Sequence, residues 1–344
     1  MSPLSSSLFE RLRCAACRSA LARGGPASRA PRDAPRCAPA RPTFSARHTL
    51  VCGRCDARYP VVRDVPILLD GSKSLFDAGD CVAQVSGGRP APTWKELARD
   101  EMERLVRPAG KNLAARPMIE RLAAELRAES DSPRVLVIGG ATLGIGMSAL
   151  TSDPAFQLAE SDVTIGPRTN VVLDACEIPF EDGTFDAVVA QAVFEYFPDP
   201  FRVAAEIHRV LRPRGWVYAE SPFMQQVHGG AYDFYRFSHV GHRRLFRTFD
   251  EVQSGVACGP GMALAWSYRY FLRSLGRAKA YRAAASHFSN LTSRWLTRVD
   301  DRVGDTAAAY DAASAFYFLG RRAERALSDR EILQAYRGTW KIRR

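Results

Sequence analysis

The run Arg134-Val-Leu-Val-Ile-Gly-Gly-Ala-Thr-Leu-Gly-Ile-Gly-Met-Ser-Ala-Leu150 decides the fold. Its first five residues form a short apolar, β-branched stretch that stops at Gly139-Gly140, the pattern of a buried parallel strand entering a glycine-rich turn. Glycines there let the backbone approach a ligand, and a helix opening at Met147 to Leu150 would aim its first amides at it. Working outward, Phe156 to Asp162 reads as a second strand ending in a carboxylate, with Glu160 as its neighbour. Phe185 to Ala190 reads as a fourth strand, with Gln191 just past its end. Asp199-Pro200 is expected to cap and open a helix with Val203, Ile207, Val210 and Leu211 on one apolar stripe; Pro213-Arg-Gly215 is expected to end it before a fifth strand, Trp216 to Glu220. Ala315 to Arg322 reads as the last strand, returning antiparallel at the sheet edge. Upstream, Met118, Ile119, Leu122 and Leu126 recur at helical spacing.

The expected architecture is α/β, a Rossmann-like doubly wound sheet with an antiparallel last strand and further small elements. A chain of 344 residues and 38.0 kDa has room for one large domain and an appendage. With 46% hydrophobic and 25% charged residues, general disorder and collagen-like structure are excluded. The longest apolar candidate, Met262 to Leu275, is broken by Arg269 and Arg273, too polar for a membrane span. The opening MSPLSSSLFERLRCAAC lacks a basic-then-apolar leader pattern, so a cytoplasmic protein is expected. Charge is uneven: residues 1–133 hold 22 basic and 15 acidic groups, 134–222 hold 6 and 12, and 223–344 hold 20 and 10. A polyanion such as RNA would therefore meet the flanks rather than the middle.

Four of the eight cysteines form two CxxC pairs, Cys14-Ala-Ala-Cys17 and Cys52-Gly-Arg-Cys55. Two tight knuckles each presenting two thiolates fill a tetrahedral Zn²⁺ and leave it no open position, which marks a structural metal. The 34 residues between Cys17 and Cys52 exceed the usual ribbon spacing, and Gly24 to Pro42, rich in Ala, Pro and Arg, reads as a mobile inserted loop in which Cys37 is incidental. The second knuckle continues into Tyr59-Pro60 and Asp64-Val65-Pro66-Ile67. In this the first 70 residues resemble the zinc-ribbon module found beside bacterial methyltransferases. Gly87-Gly88-Arg89-Pro90-Ala91-Pro92 reads as a linker followed by two helices.

The spacing of Gly139 to Gly146 resembles the cofactor loop of short-chain dehydrogenases. That family's Tyr-x-x-x-Lys pair is missing: Tyr232 and Tyr317 are each followed four residues later by arginine. Downstream, Val172-Leu-Asp174-Ala-Cys-Glu-Ile-Pro-Phe180 and Phe185-Asp-Ala-Val-Val-Ala-Gln191-Ala-Val-Phe-Glu195 resemble instead the type-11 group of class I S-adenosylmethionine-dependent methyltransferases. The resemblance, from about Val135 to Pro222, implies methyl transfer. It implies Gly139, Gly140 and Gly144 at the cofactor's amino-acid portion, Asp162 at the ribose, and Asp174 and Ala175 at the adenine. Gln191 would lie beside the methyl-transfer position. Two positions depart from the pattern: Val137 replaces an acidic residue and Tyr196 a histidine.

The segment Ser221 to His242 is dense in polar and aromatic groups, and loops at the carboxyl ends of such strands hold substrate. His228 is the expected base for a hydroxyl nucleophile, with Tyr232, Asp233 and Arg236 positioning the acceptor. Ser238 reads as the N-cap of a helix whose His239 and His242 serve the surface or packing. Residues 261–311, with Trp266, Tyr268, Tyr270, Phe271 and Trp295, read as a helical insertion, either a lid or a cover for the sheet. The expected domains are a ribbon over 8–70, a linker and helices over 71–132, a methyltransferase domain over 133–322, and a helix with a basic tail over 323–344. The expected acceptor is a small or glycan-type molecule bearing a hydroxyl, carboxyl or amine. Ribosomal or transfer RNA and a non-catalytic scaffold are the alternatives.

Overall fold

A computed structural model describes residues 3–24, 48–81 and 110–340. The inserted loop with Cys37, the 87–92 linker and the first of the two helices after it lie outside the described residues. The chain forms two compact units: Met1–Arg89, Glu120–Gln191 and Asp199–Val217 make the first, and Pro90–Ile119, Ala192–Pro198 and Tyr218–Arg344 the second. These ranges cut across those expected from sequence.

In the first unit, α1 (Ser6–Phe9) precedes the strands β1 (Leu21–Gly24), β2 (His48–Cys52), β3 (Arg58–Val62) and β4 (Val65–Leu68), paired antiparallel in succession. Helix α2 (Ala115–Glu129), which begins in the second unit and continues in the first, buries Ile119, Leu122 and Leu126, as its periodicity predicts. There follow β5 (Arg134–Ile138), α3 (Ser148–Thr151), β6 (Gln157–Asp162), β7 (Val171–Leu173), β8 (Phe185–Gln191), α4 (Pro200–Val210) and β9 (Leu211–Pro222), the last ending in the second unit. The strand order is β1-β2-β3-β4-β7-β6-β5-β8-β9. The order β7-β6-β5-β8-β9 is that of a doubly wound sheet, running outward from β5 in both directions. Its core strands are buried nearly throughout, because parallel strands are covered on both faces.

One expectation for this unit, the end of α4, is corrected below. The ribbon strands continue the main sheet: β4 pairs parallel with β7, Ile67 opposite Val172 and Leu68 opposite Leu173. Leu12 bridges Phe180, Arg11 and Arg13 pair with Glu181, and Arg18 reaches Glu206 at 2.8 Å. The helix expected after the glycine turn is present as α3, a single turn without a side-chain cap. Helix α4 does open at Asp199, whose carboxylate accepts from the Arg202 amide, but it ends at Val210 rather than at Pro213. Leu211 already has extended backbone (φ −76°, ψ 140°), and Pro213 to Gly215 lie within β9.

The second unit holds α5 (His239–Leu245), β10 (Phe249–Cys258), the insertion helices α6 (Pro260–Ser274), α7 (Lys279–Ser293), α8 (Leu296–Val303) and α9 (Ala307–Ala312), then β11 (Ala315–Arg322) and α10 (Asp329–Gln334). Its strand order is β9-β11-β10. The last strand is antiparallel to β10 with Phe249 opposite Arg322, yet it is not the edge: β10, which the sequence did not disclose, lies outside it. Ser238 caps α5, and His239 and His242 are buried packing residues. Burial pulls their imidazoles down to about 4 and about 3, so both pack as neutral rings.

Candidate functional site

Parallel pairing levels the carboxyl ends of β5, β6, β7 and β8. Ile138 stands opposite Ser161 on one side and Ala190 on the other, and Asp162 stands opposite Val172. Gly139 and Gly140, Asp162, Asp174 and Gln191 therefore all emerge at one edge of the first unit. Gly139 has φ +77°, a turn that side chains resist, and the Gly140 amide donates to Ser161 O at 2.8 Å. Gly144 lies so close to Gln191 that a Cβ would stand 2.2 Å from its Oε1. The Gln191 amide nitrogen in turn donates to Ile145 O at 3.1 Å, which holds the turn over the end of β8.

The two carboxylates at this edge are already oriented. One oxygen of Asp162 accepts from the Thr164 amide and hydroxyl, both at 3.1 Å. Asp174 accepts from the Cys176 amide at 2.9 Å and from the Ser74 hydroxyl at 2.7 Å, so its carboxylate is fixed while each oxygen keeps a second lone pair. Ala175 is buried beside it. Ser74 is a participant that sequence reasoning missed; nothing in the spacing joins it to a residue a hundred positions away.

The four expected acceptor-side residues lie in the second unit. Asp233 is fully enclosed: it accepts from the His228 and Gly229 amides at 2.8 and 3.1 Å and pairs with both terminal nitrogens of Arg236. That arginine also donates to the carbonyls of Gln225, Gln226 and Tyr235. The guanidinium, seconded by the two amides, holds the Asp233 carboxyl well below the usual carboxylate range despite its burial. Asp233 and Arg236 thus organise the loop rather than present free groups. Tyr232, in a single turn Gly230–Tyr232, is half exposed.

His228 places Nδ1 3.0 Å from Gln226 O and Nε2 3.4 Å from Glu195 Oε1. A ring donating from Nδ1 turns an unprotonated Nε2 toward the carboxylate, and a second proton converts that repulsion into an ion pair. Its pKa is accordingly raised, by the contact with Glu195 first, against the opposing effect of burial. Both nitrogens are engaged, which differs from the free imidazole base expected from sequence.

Glu195 is a second residue whose role sequence reading missed. It sits in the turn Phe194–Tyr196, completely buried. Apart from the His228 ion pair, neither carboxylate oxygen has a hydrogen-bond partner among the described residues. The same holds for Gln226 Oε1, Trp266 Nε1 and Arg269 Nε. Trp266 meets His228 edge-on at 6.2 Å and stacks on Tyr270, while Tyr196 meets His228 at 5.8 Å. Burial, then Glu195 and Asp233, push the Tyr196 hydroxyl up to about 12, so it stays protonated. Helix α6 is tied to the loop by Gln226 Nε2 to Ser267 Oγ at 2.9 Å and Tyr270 Oη to Val227 O at 3.3 Å.

The four CxxC sulfurs converge in the first unit, all within 4.8 Å of one another, with Cys14–Cys55 at 3.6 Å and Cys17–Cys52 at 3.5 Å. A metal about 2.3 Å from four tetrahedral sulfurs sets them roughly 3.8 Å apart. The two knuckles have the same form: Arg18 donates its amide to Cys14 O and Asp56 to Cys52 O, and Arg18 and Asp56 both have positive φ. The cluster fits a tetrahedral ion.

Residues 144–219 match the family model described as a methyltransferase domain. Solved structures similar to this chain include Haemonchus contortus phosphoethanolamine N-methyltransferase 2 with S-adenosyl-L-methionine, at 15% identity and TM-score 0.37, covering 59% of this chain and 53% of that one. Another is Burkholderia thailandensis 1,6-didemethyltoxoflavin-N1-methyltransferase, at 17% identity and TM-score 0.36, covering 68% and 91%. A third is geranyl diphosphate C-methyltransferase from Streptomyces coelicolor A3(2), at 11% identity and TM-score 0.37, covering 68% and 100%.

Proposed function

We propose, on the premise that residues 144–219 are a methyltransferase domain, that the chain moves a methyl group from S-adenosylmethionine to a small molecule bearing a hydroxyl or an amine. The observation that carries this reading is the common edge at which Gly139, Gly140, Asp162, Asp174 and Gln191 emerge from level parallel strands. There Asp162 would take the ribose hydroxyls, Asp174 and the Ala175 amide the adenine, and the Gly139–Gly144 turn the amino-acid end. When bound, the cofactor supplies an electrophilic methyl on a sulfonium, and alignment with exclusion of water does much of the catalysis.

The loop chemistry supports the acceptor class. Glu195 and Gln226 offer buried oxygens that want donors, and Trp266 and Arg269 offer N–H groups that want an acceptor. An O–H or N–H bearing molecule with a further oxygen satisfies both sets, whereas a carboxylate acceptor would be repelled by Glu195. In this reading His228 balances the charge of Glu195, which receives the acceptor's hydrogen. The four thiolates of Cys14, Cys17, Cys52 and Cys55 hold a structural zinc.

Calorimetry with S-adenosylmethionine tests the cofactor edge: Asp162→Ala is expected to weaken binding at least about tenfold, roughly 1.4 kcal/mol. An unchanged affinity rejects the assignment. A screen of metabolite extract for labelled methyl transfer tests the acceptor; label entering RNA instead would replace the small-molecule reading.

A further inference from the structure

The outer faces of the insertion helices are built the wrong way round for a surface facing only water. Leu264 and Phe271 of α6 and Leu275 at its C-cap follow one another at intervals of seven and four, a stripe about 40° wide. On α7, Phe288 and Leu291 are followed by Trp295 just past its end. Each of the six is more than half exposed, and Leu291 is 81% exposed. The buried side of α7 is by contrast small and polar: Ala285, Ser286, Ser289 and Ser293. Large apolar side chains thus point out where small hydroxyls point in.

Charge on the same segment is one-sided. Between Gly261 and Val299 there are seven basic residues, from Arg269 to Arg298, and no Asp or Glu, in a chain that elsewhere balances 41 basic against 37 acidic groups. Among the described residues no helix is long and apolar enough to cross a membrane. Exposed aromatic and leucine side chains set among arginines are instead the composition of a helix lying in the bilayer interface, its rings at the headgroup level and its cations on anionic phosphates.

We propose that α6 and α7 dock on the surface of an anionic lipid bilayer. A second copy of the chain fits less well, because two such faces would set their exposed cations, Arg277, Lys279, Arg282, Arg294 and Arg298, against one another. Nucleic acid fits the arginines but leaves Leu264, Leu275 and Leu291 without a purpose.

The test is co-sedimentation of the full-length protein with vesicles of phosphatidylcholine alone and of phosphatidylcholine mixed with phosphatidylglycerol. Binding is expected to the mixed vesicles only, to weaken as salt is raised, and to shift tryptophan emission to the blue. The triple variant Phe271→Ser, Leu291→Ser, Trp295→Ser, altered only at exposed positions, should bind at least tenfold more weakly with an unchanged melting temperature and circular dichroism. Absence of binding to the mixed vesicles overturns the proposal, as does equal binding by the triple variant. A wild-type dimer in sedimentation equilibrium that the variant loses makes the occupant a second copy. RNA retention that the variant leaves intact, without vesicle binding, makes it nucleic acid.

Discussion

Replacing Arg236 by alanine removes more than one contact. Its guanidinium pairs with both oxygens of Asp233 and donates to three backbone carbonyls, and Asp233 has no exposed side-chain surface through which water could substitute. Breaking a buried pair by deleting one partner costs about 3–5 kcal/mol, because the other charge is left unpaired. Arg236 is 22% exposed, so the lower figure, about 3 kcal/mol, applies. For a unit of this size that is a fall of about 6–12 °C in melting temperature. Urea unfolding of wild type, Arg236→Ala, Asp233→Asn and the double variant measures it, with an expected coupling above about 2 kcal/mol. Arg236→Lys should recover less than half, since a point charge cannot span both oxygens and the carbonyls. The pH dependence has a fixed sign. The depressed Asp233 pKa stabilises above the unfolded carboxyl value of about 3.9, and that stability disappears as pH falls toward the folded value. A loss below about 1 kcal/mol for Arg236→Ala, or a coupling near zero, would refute the reasoning.

Three further outcomes are expected. Metal analysis of the purified protein should give about one zinc per chain, and Cys52→Ser should lose it; a metal-free wild type removes the ribbon from the account. The His228 ring should titrate by NMR above its ordinary value of about 6.5 and fall to that value or lower in Glu195→Gln. The stabilisation from this pair is complete below about 6.5 and is lost as pH rises through the folded pKa, so identical titration in both proteins contradicts the pairing. Gly139→Ala, at φ +77°, should cost about 1–2 kcal/mol in urea unfolding, and a neutral result would mean that the turn is not built as described.

The parallel strands were legible because their chemistry is uniform. Arg134–Ile138 is a β-branched run buried nearly throughout at the residues read from the sequence, Phe185–Gln191 runs one residue past the expected strand to take in Gln191, and Ala315–Arg322, antiparallel to β10, is an aromatic run at its expected residues. Strand β10 was not legible: its first half, Phe249-Asp-Glu-Val-Gln, mixes charges into an exposed edge and reads like a turn. The end of α4 was misplaced because Pro213 and Gly215 are strong breakers, while the actual stop at Val210 comes from Leu211 turning extended. At the site, the residues ending parallel strands could be placed by counting. Asp233 and Arg236 could not, because two polar loop residues three apart look alike whether they hold a ligand or each other. The burial of Glu195 was equally hidden, a carboxylate between Phe194 and Tyr196 whose partner comes from a loop more than thirty residues on.

The cysteine knuckles matter to the cofactor edge through the sheet itself. Strand β7 is only three residues long and completely buried, and without a neighbour on its outer side its backbone groups would be left open. Strand β4 supplies that neighbour, with Ile67 and Leu68 almost wholly enclosed, and the chain beyond it brings Ser74 to the carboxylate of Asp174. The same β4 is held by β3, and β3 by β2, which ends at Cys52. Four converging thiolates need a cation to offset their repulsion, and a metal held there would fix the knuckles and, with them, the register of β2, β3 and β4. Removing it would loosen the outer neighbour of β7 and free Asp174 from Ser74. If Asp174 meets the adenine as proposed, the ribbon walls that side of the site, and Cys52→Ser should weaken S-adenosylmethionine binding in calorimetry although none of the four clustered cysteines bonds to the carboxylate. Full affinity in a zinc-free variant would show that β7 holds its place without the ribbon.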